Sequence, residues 1–314
     1  MTKARVLVTG GAGFIGAQVV DALVSHPGVE RVVSVDIRAG ADRRGMSYRN
    51  LDIRDPALAT IVAEEEIDRI VHLAAVVNPR PDQTREFLYS VDVEGTQNVL
   101  RACRAGGVAH LTVTSSGAAY GYHPDNPEWL DEDAPLRGNP EFAYSDHKRI
   151  VEELLADHRT DHPEIRQLIL RPGTILGASV ANQITRLFEW PVVLGIAGSS
   201  TPFVFMWDAD VVDVIVKGTV DRIEGVFNLA GSGAVTMREI AVELGKRHIA
   251  IPASVVRAAL SVLHRLRLAP YGPEQVDFLR YRPVLSNRRL IEEFGFTPSM
   301  TSLQAFRAYV ENRD

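Results

Sequence analysis

A chain of 314 residues, 46% hydrophobic and 24% charged, can bury a substantial core without staples, and its length suits about two domains or one large domain with an insertion. The net charge of −6, from 34 basic and 40 acidic residues, gives no basic footprint, so no nucleic-acid partner is expected. Cys103 is the only cysteine, which excludes an internal disulfide and a multi-cysteine metal cluster and suits a reducing compartment.

The first residues run straight into a strand-like segment, without the basic head, apolar stretch and small-residue cleavage site of a signal peptide. No apolar run approaches the roughly 20 residues that a spanning helix needs. The expectation is a cytoplasmic protein with no membrane span.

In chain order, residues 6–9 read as a buried strand, 14–24 as a helix and 31–36 as a second strand. Strand-like runs recur at 70–74, 110–115 and 165–170, separated by longer helical patterns. Strands buried on both faces show such near-continuous apolar runs, and the alternation predicts repeated βαβ units with a parallel sheet. The rhythm changes after Arg171-Pro172-Gly173. Residues 176–204 hold no clear βαβ unit, 203–206 and 226–229 look like strands again, and the chain from Thr236 on is largely helical apart from 281–286. The fold expected is α/β, a doubly wound parallel sheet with a smaller C-terminal α/β lobe. Residues 1–175 plus about 205–235 would form the first domain, and about 176–204 plus 236–314 the substrate lobe.

Glycines at 10, 13 and 16 follow the first strand and open the first helix. That setting permits a tight turn, close approach of backbone to a pyrophosphate, and a helix N-terminus aimed at the phosphates. Asp36 ends the second strand 20 residues after Gly16, where a carboxylate accepts hydrogen bonds from the adenosine ribose. The same charge opposes a 2′-phosphate, which favours NAD. Arg38, Arg43 and Arg44 follow closely and leave NADP open.

Tyr144 stands four residues before Lys148, so a helix would set both on one face. A free phenol, with a pKa of about 10, is a poor base near neutrality, and a neighbouring ammonium favours its ionised form. Ser116, just after the strand at 110–115, can bring a hydroxyl to the same substrate oxygen.

Together with Thr9-Gly10-Gly11-Ala12-Gly13-Phe14-Ile15-Gly16, these residues and the runs His72-Leu73-Ala74-Ala75, Gly95-Thr96-Gln97-Asn98, Thr114-Ser115-Ser116-Gly117 and Arg171-Pro172-Gly173 resemble the NAD-dependent epimerase/dehydratase family, the extended short-chain dehydrogenases. The resemblance implies Tyr144 as acid/base, Lys148 as its activator and nicotinamide-ribose ligand, and Ser116 as the residue that orients the substrate hydroxyl. It implies cofactor contacts at Gly10, Gly13, Phe14, Ile15 and Gly16, at Asp36, Ile37 and Arg38, and at Asp52 and Ile53 beside the adenine. Leu73, Ala74 and Ala75 would line the pyrophosphate path, and Asp92, Thr114, Pro172 and Gly173 complete the set. The activity implied is hydride transfer at a secondary alcohol or ketone carbon of a small, sugar-like substrate by a homodimer.

Some positions depart from the family pattern. Asp92 replaces a usual asparagine. Ser116 is followed by Gly117 and Ala118 and not by an acidic pair, which argues against 4,6-dehydration. Thr174 replaces an asparagine that contacts nucleotide sugars, and Phe203 stands where an arginine holds their phosphates, with Arg282 and Arg288 as replacements for that charge. The alternatives are a dehydrogenase or reductase of an apolar, sterol- or flavonoid-like alcohol, and a non-enzymatic NAD-binding sensor.

Cys103 and His72 read as packing residues, His147 as helix surface and His123 as a substrate-loop candidate. The remaining histidines show no pair at ligand spacing, so no metal is expected. Residues 251–268 carry an apolar stripe with interspersed arginines, which reads as a packed or interface helix and, less commonly, as a membrane-surface helix.

Overall fold

The computed structural model describes residues 3–180, 183–199, 201–265 and 275–312. Its elements are β1 (Ala4–Thr9), α1 (Phe14–Ser25), β2 (Val29–Asp36), β3 (Met46–Asn50), α2 (Ala57–Glu64), β4 (Arg69–His72), α3 (Arg85–Tyr89), α4 (Gly95–Gly106), β5 (His110–Thr114), α5 (Ala143–Asp161), β6 (Arg166–Pro172) and β7 (Thr174–Leu176). They continue with α6 (Gln183–Leu187), β8 (Val192–Ile196), β9 (Phe205–Trp207), α7 (Asp208–Asp221), β10 (Gly225–Leu229), α8 (Met237–Glu243), β11 (Arg247–Ile251), α9 (Ala253–Arg265), α10 (Gln275–Arg280), α11 (Arg288–Glu292) and α12 (Ser302–Glu311).

Seven strands form one sheet in the order β10-β6-β5-β4-β1-β2-β3, with every neighbouring pair parallel. The apolar residues at the centre of these runs are buried: Val6, Leu7 and Val8 of β1 and Ile70 and Val71 of β4 are fully enclosed. Alternate residues feed separate cores on the two faces. Val6 and Val8 pack with α1 and α7, and Leu7 with α2, α4 and α5. The chain reverses its direction of winding between β1 and β4, and a crevice at the carboxyl ends of strands at such a switch is where ligands of this architecture bind.

The late segments form a separate apolar cluster in which Phe188, Phe203, Phe205 and Phe306 interlock. Four strands were not read from the sequence: β3, β7, β8 and β11. β8 lies within the stretch judged free of βαβ units, and β11, in a region judged helical, pairs with it in parallel. Both are short: β11 opens on Arg247-His248 and lacks the apolar run of a central strand, whereas the five residues of β8 are such a run, broken only by Gly195, that was passed over. The expected strand at 203–206 begins two residues later as β9, with Phe203 held in an isolated antiparallel bridge to Val235. Helix α9 occupies the expected amphipathic segment as far as Arg265, and residues 266–268 of that expectation lie outside the described residues.

Candidate active site

The turn after β1 is built by close approach. Gly10 adopts φ +70°, and a Cβ there would sit 2.7 Å from the Ala74 nitrogen on the loop after β4. A Cβ on Gly16 would collide with the Gly10 carbonyl, so α1 could not start so near the turn. Gly13 caps α1 without a side chain, leaving the first N–H groups of the helix directed out of its N-terminus, with Phe14 at its mouth.

Asp36 closes this turn from β2. Its carboxylate accepts the Ala12 N–H at 3.0 Å and the Arg38 N–H at 3.0 Å, and is largely buried. The Arg38 guanidinium folds back, donating to the Ala12 carbonyl at 2.8 Å with its Nε 3.8 Å from Asp36. Ile37 is exposed beside it. Asp52 is ion-paired to Arg54 at 2.6 Å, and hydrogen bonding from Arg54 lowers its pKa. Ile53 is buried under the start of α4, where its carbonyl accepts from Asn98. Leu73 donates its N–H to the Thr9 carbonyl, which brings Ala74 and Ala75 alongside the glycine turn.

Helix α5 presents Tyr144 and Lys148 one turn apart. The Lys148 ammonium donates to the Thr114 carbonyl at 3.0 Å and lies 5.8 Å from the Tyr144 ring centroid. Ser116 is buried where β5 ends, and its Oγ accepts the Ala118 N–H at 3.1 Å, capping a short 3-10 turn. Pro172 ends β6, and Gly173 donates to the Leu229 carbonyl.

The next position on the same α5 face is Glu152, which the sequence reading passed over although the spacing 144, 148, 152 marks it. Its carboxylate accepts from Ser115 Oγ at 2.5 Å and forms a buried pair with Arg171 at 2.6 Å. Arg171 also donates to the Tyr120 hydroxyl at 2.8 Å, and Tyr120 to Asn228 at 2.9 Å. This network pins α5 to β5, β6 and β10 immediately behind Ser116.

His147 is not on the helix surface as expected but 1% exposed. α5 is covered on that side by the helical turn at Ser90–Glu94, so residue 147 points inward. Its Nδ1 lies 3.5 Å from Asp92 Oδ2, its ring meets Tyr89 edge-on, and Asp92 Oδ1 accepts the Val76 N–H at 3.0 Å. His72 packs as expected, between Thr9 Oγ1 at 2.7 Å and Thr96 Oγ1 at 3.1 Å. Burial first and the Lys148 charge second bring its pKa down to about 3. Cys103 is fully buried, and burial pushes its thiol up to about 12.

On the other side, Thr174 donates its N–H to the Val204 carbonyl. Phe203 is 3% exposed, stacked on Phe205, so its ring belongs to the apolar cluster of the late segments. Over its remaining face lies the Arg282 guanidinium, 3.9 Å from the ring centroid. Arg282 is buried and donates to the Thr201 carbonyl, but its Nε and Nη1 have no partner, and burial lowers its pKa to about 10. Tyr122 packs against Phe142 and Phe278, and Phe142 in turn adjoins Tyr144. His123 hydrogen-bonds the Gly138 carbonyl and, with Tyr122, Asn139 and Asp277, lines a cavity of about 340 Å³. Among the described residues, no group of three or more His, Cys, Asp or Glu is arranged to hold a metal.

A parallel sheet wound in both directions from a glycine turn, with a carboxylate at the end of its second strand, defines a dinucleotide-binding protein. The profile of the NAD dependent epimerase/dehydratase family matches residues 6–190, and the chain belongs to that family. UDP-glucose 4-epimerase 2 of Oryza sativa subsp. japonica is 33% identical over 55% of this chain and 45% of its own length. Two solved structures share the fold: MoeE5 in complex with UDP-glucuronic acid and NAD (23% identity, TM-score 0.75, 99% of both chains), and the UDP-glucose 4-epimerase of Thermus thermophilus in complex with NAD (24%, 0.72, 98% of both). The protein is thus an NAD-dependent enzyme. The site fits that cofactor: the turn is too tight for a Cβ at Gly10 or Gly16, so it offers bare backbone and the open N-terminus of α1, and the Asp36 carboxylate is tied to the same turn through Ala12.

Proposed function

We propose that this enzyme epimerises a nucleoside-diphosphate sugar through a keto sugar. The observation that carries the substrate class is Arg282, a buried guanidinium with two nitrogens that lack a hydrogen-bond partner. Desolvating such a group is costly unless an anion arrives, and a phosphate oxygen supplies charge-assisted hydrogen bonds. The apolar-alcohol reading rested on Phe203 and on the apolar C-terminal helices, and the Phe203 ring is spent in the core beneath Arg282.

In this reading residues 1–175 plus about 205–235 hold NAD through Gly10, Gly13, Phe14, Ile15, Gly16, Asp36 and the Leu73–Ala75 path, and the rest of the chain holds the sugar nucleotide. When bound, NAD supplies a hydride acceptor beside the sugar carbon. Tyr144 accepts the hydroxyl proton of that carbon, Lys148 favours the phenolate by its charge, and Ser116 orients the same hydroxyl. Tyr144 would give the proton back to the ketone oxygen when the opposite face of the keto sugar is reduced, which inverts the carbon. The same reading takes the protein as a cytoplasmic homodimer.

The test is to incubate the enzyme with NAD and UDP-glucose or UDP-galactose and follow the sugar by NMR. Interconversion without net NADH is expected, and Arg282→Met should raise KM by ~10-fold or more, the loss of a charge-assisted contact, with kcat little changed. Net oxidation of an uncharged alcohol, with no turnover of sugar nucleotides, would overturn the proposal.

A further inference from the structure

Among the described residues, helix α9 is covered by little of its own protein. Among its described side chains none is buried, and Val255 and Val262 are 54% and 57% exposed. At about 100° per residue, Val262, Val255, Ala259, Val256 and Leu260 fall in one arc roughly 160° wide. Val256 and Leu260, at one side of the arc, are half-buried against the body, while Val255, Ala259 and Val262 face outward. The helix is nonetheless moored, because Arg257 reaches Asp277 on α10 at 2.7 Å. An exposed apolar stripe on an anchored helix needs an occupant.

Charge selects that occupant. From Leu244 to Arg265 there is no Asp or Glu, and Lys246, Arg247, Arg257 and Arg265 give the segment +4 in a chain whose net charge is −6. Arg247 and Arg265 are exposed. A second copy in a two-fold contact would set this cationic patch against itself, so like charges would oppose the association. An anionic bilayer surface meets both demands, since apolar side chains enter the interface while flanking arginines stay at the headgroups. We propose that α9, with the adjoining basic segment from Lys246, is a docking surface for an anionic membrane. It carries Arg257 into the wall of the cavity beside Tyr122, so docking would set that cavity near the bilayer. The inference is independent of the substrate reading.

The test is co-sedimentation of the full chain with vesicles of phosphatidylcholine alone and of phosphatidylcholine mixed with phosphatidylglycerol, at low and high salt. Binding to the mixed vesicles, weakened by salt, is expected. Each basic residue near such a surface contributes about a factor of five, so Arg265→Glu should lower partitioning by ~5-fold or more, and Val255→Glu with Val262→Glu should abolish it. NAD affinity and circular dichroism should be unchanged in these variants, showing that they fold. Failure to bind the mixed vesicles, or equal and salt-insensitive binding to both kinds, overturns the proposal. So does a solution dimer that the Val255/Val262 variant dissociates, which would make this face an interface between copies.

Discussion

The Asp92 carboxylate lies 3.5 Å from Nδ1 of His147, with both side chains shut off from solvent. Through its other oxygen Asp92 holds the Val76 N–H, just beyond Ala74 and Ala75. One carboxylate therefore links the helix bearing Tyr144 and Lys148 to the loop that flanks the glycine turn. His147→Ala should cost about 2–4 kcal/mol, from the cavity left where the buried ring packs against Tyr89. Asp92→Asn keeps an acceptor for Val76 and should cost about 1 kcal/mol. Urea unfolding of the two single variants and the double variant checks this, and non-additive losses are expected for residues in contact.

Asp36 orders the glycine turn, accepting the Ala12 and Arg38 N–H groups, and in the proposed reading its carboxylate also receives the ribose of NAD. NAD should bind more tightly than NADP, because the carboxylate accepts ribose hydroxyls and repels a phosphate. Asp36→Ala should weaken NAD by ~10-fold, about the worth of one charge-assisted hydrogen bond, and narrow the gap between the cofactors. Calorimetric titration of both cofactors at one salt concentration measures it. Tighter NADP binding by the unaltered enzyme would instead make Arg38 a phosphate ligand.

On the proposed mechanism Tyr144→Phe should reduce turnover by about 10²–10⁴ while NAD affinity stays near normal, since only the hydroxyl assigned to proton transfer is lost. Lys148→Ala should impair both, because the ammonium faces Tyr144 and is tied to the Thr114 carbonyl. Single-turnover rates and cofactor titrations separate the two effects. Near-normal turnover of Tyr144→Phe would remove the mechanism.

His72 makes stability depend on pH. Its folded pKa, about 3, is below the 6.5 of the unfolded chain, so the unfolded state binds the proton first. The stabilisation is complete above pH 6.5 and is lost as pH falls through that window towards 3. The slope for this one group is about 1.4 kcal/mol per pH unit. His110, lowered chiefly by burial, acts in the same direction. Urea unfolding at a series of pH values should show the decline, and His72→Asn should flatten it.

The sequence by itself determined six of the seven strands of the sheet, all but β3, together with the glycine turn and the spacing of Tyr144 and Lys148. Those features are local: a turn that excludes Cβ atoms, a strand buried on both faces and a one-turn separation on a helix each mark the residues that form them. Glu152 was legible in the same way, as the next position on that stripe. Tertiary structure alone decided the rest. His147 lies 55 residues from Asp92, Glu152 19 from Arg171, and Arg282 79 from Phe203. Helix periodicity places a residue on a face but does not say what covers that face. The segment at 90–94 turned an expected surface histidine into a buried one, and packing of the phenylalanine cluster turned an expected pocket residue into the floor under Arg282. Burial and pairing arise from elements distant in sequence, and desolvation acts only after they have met.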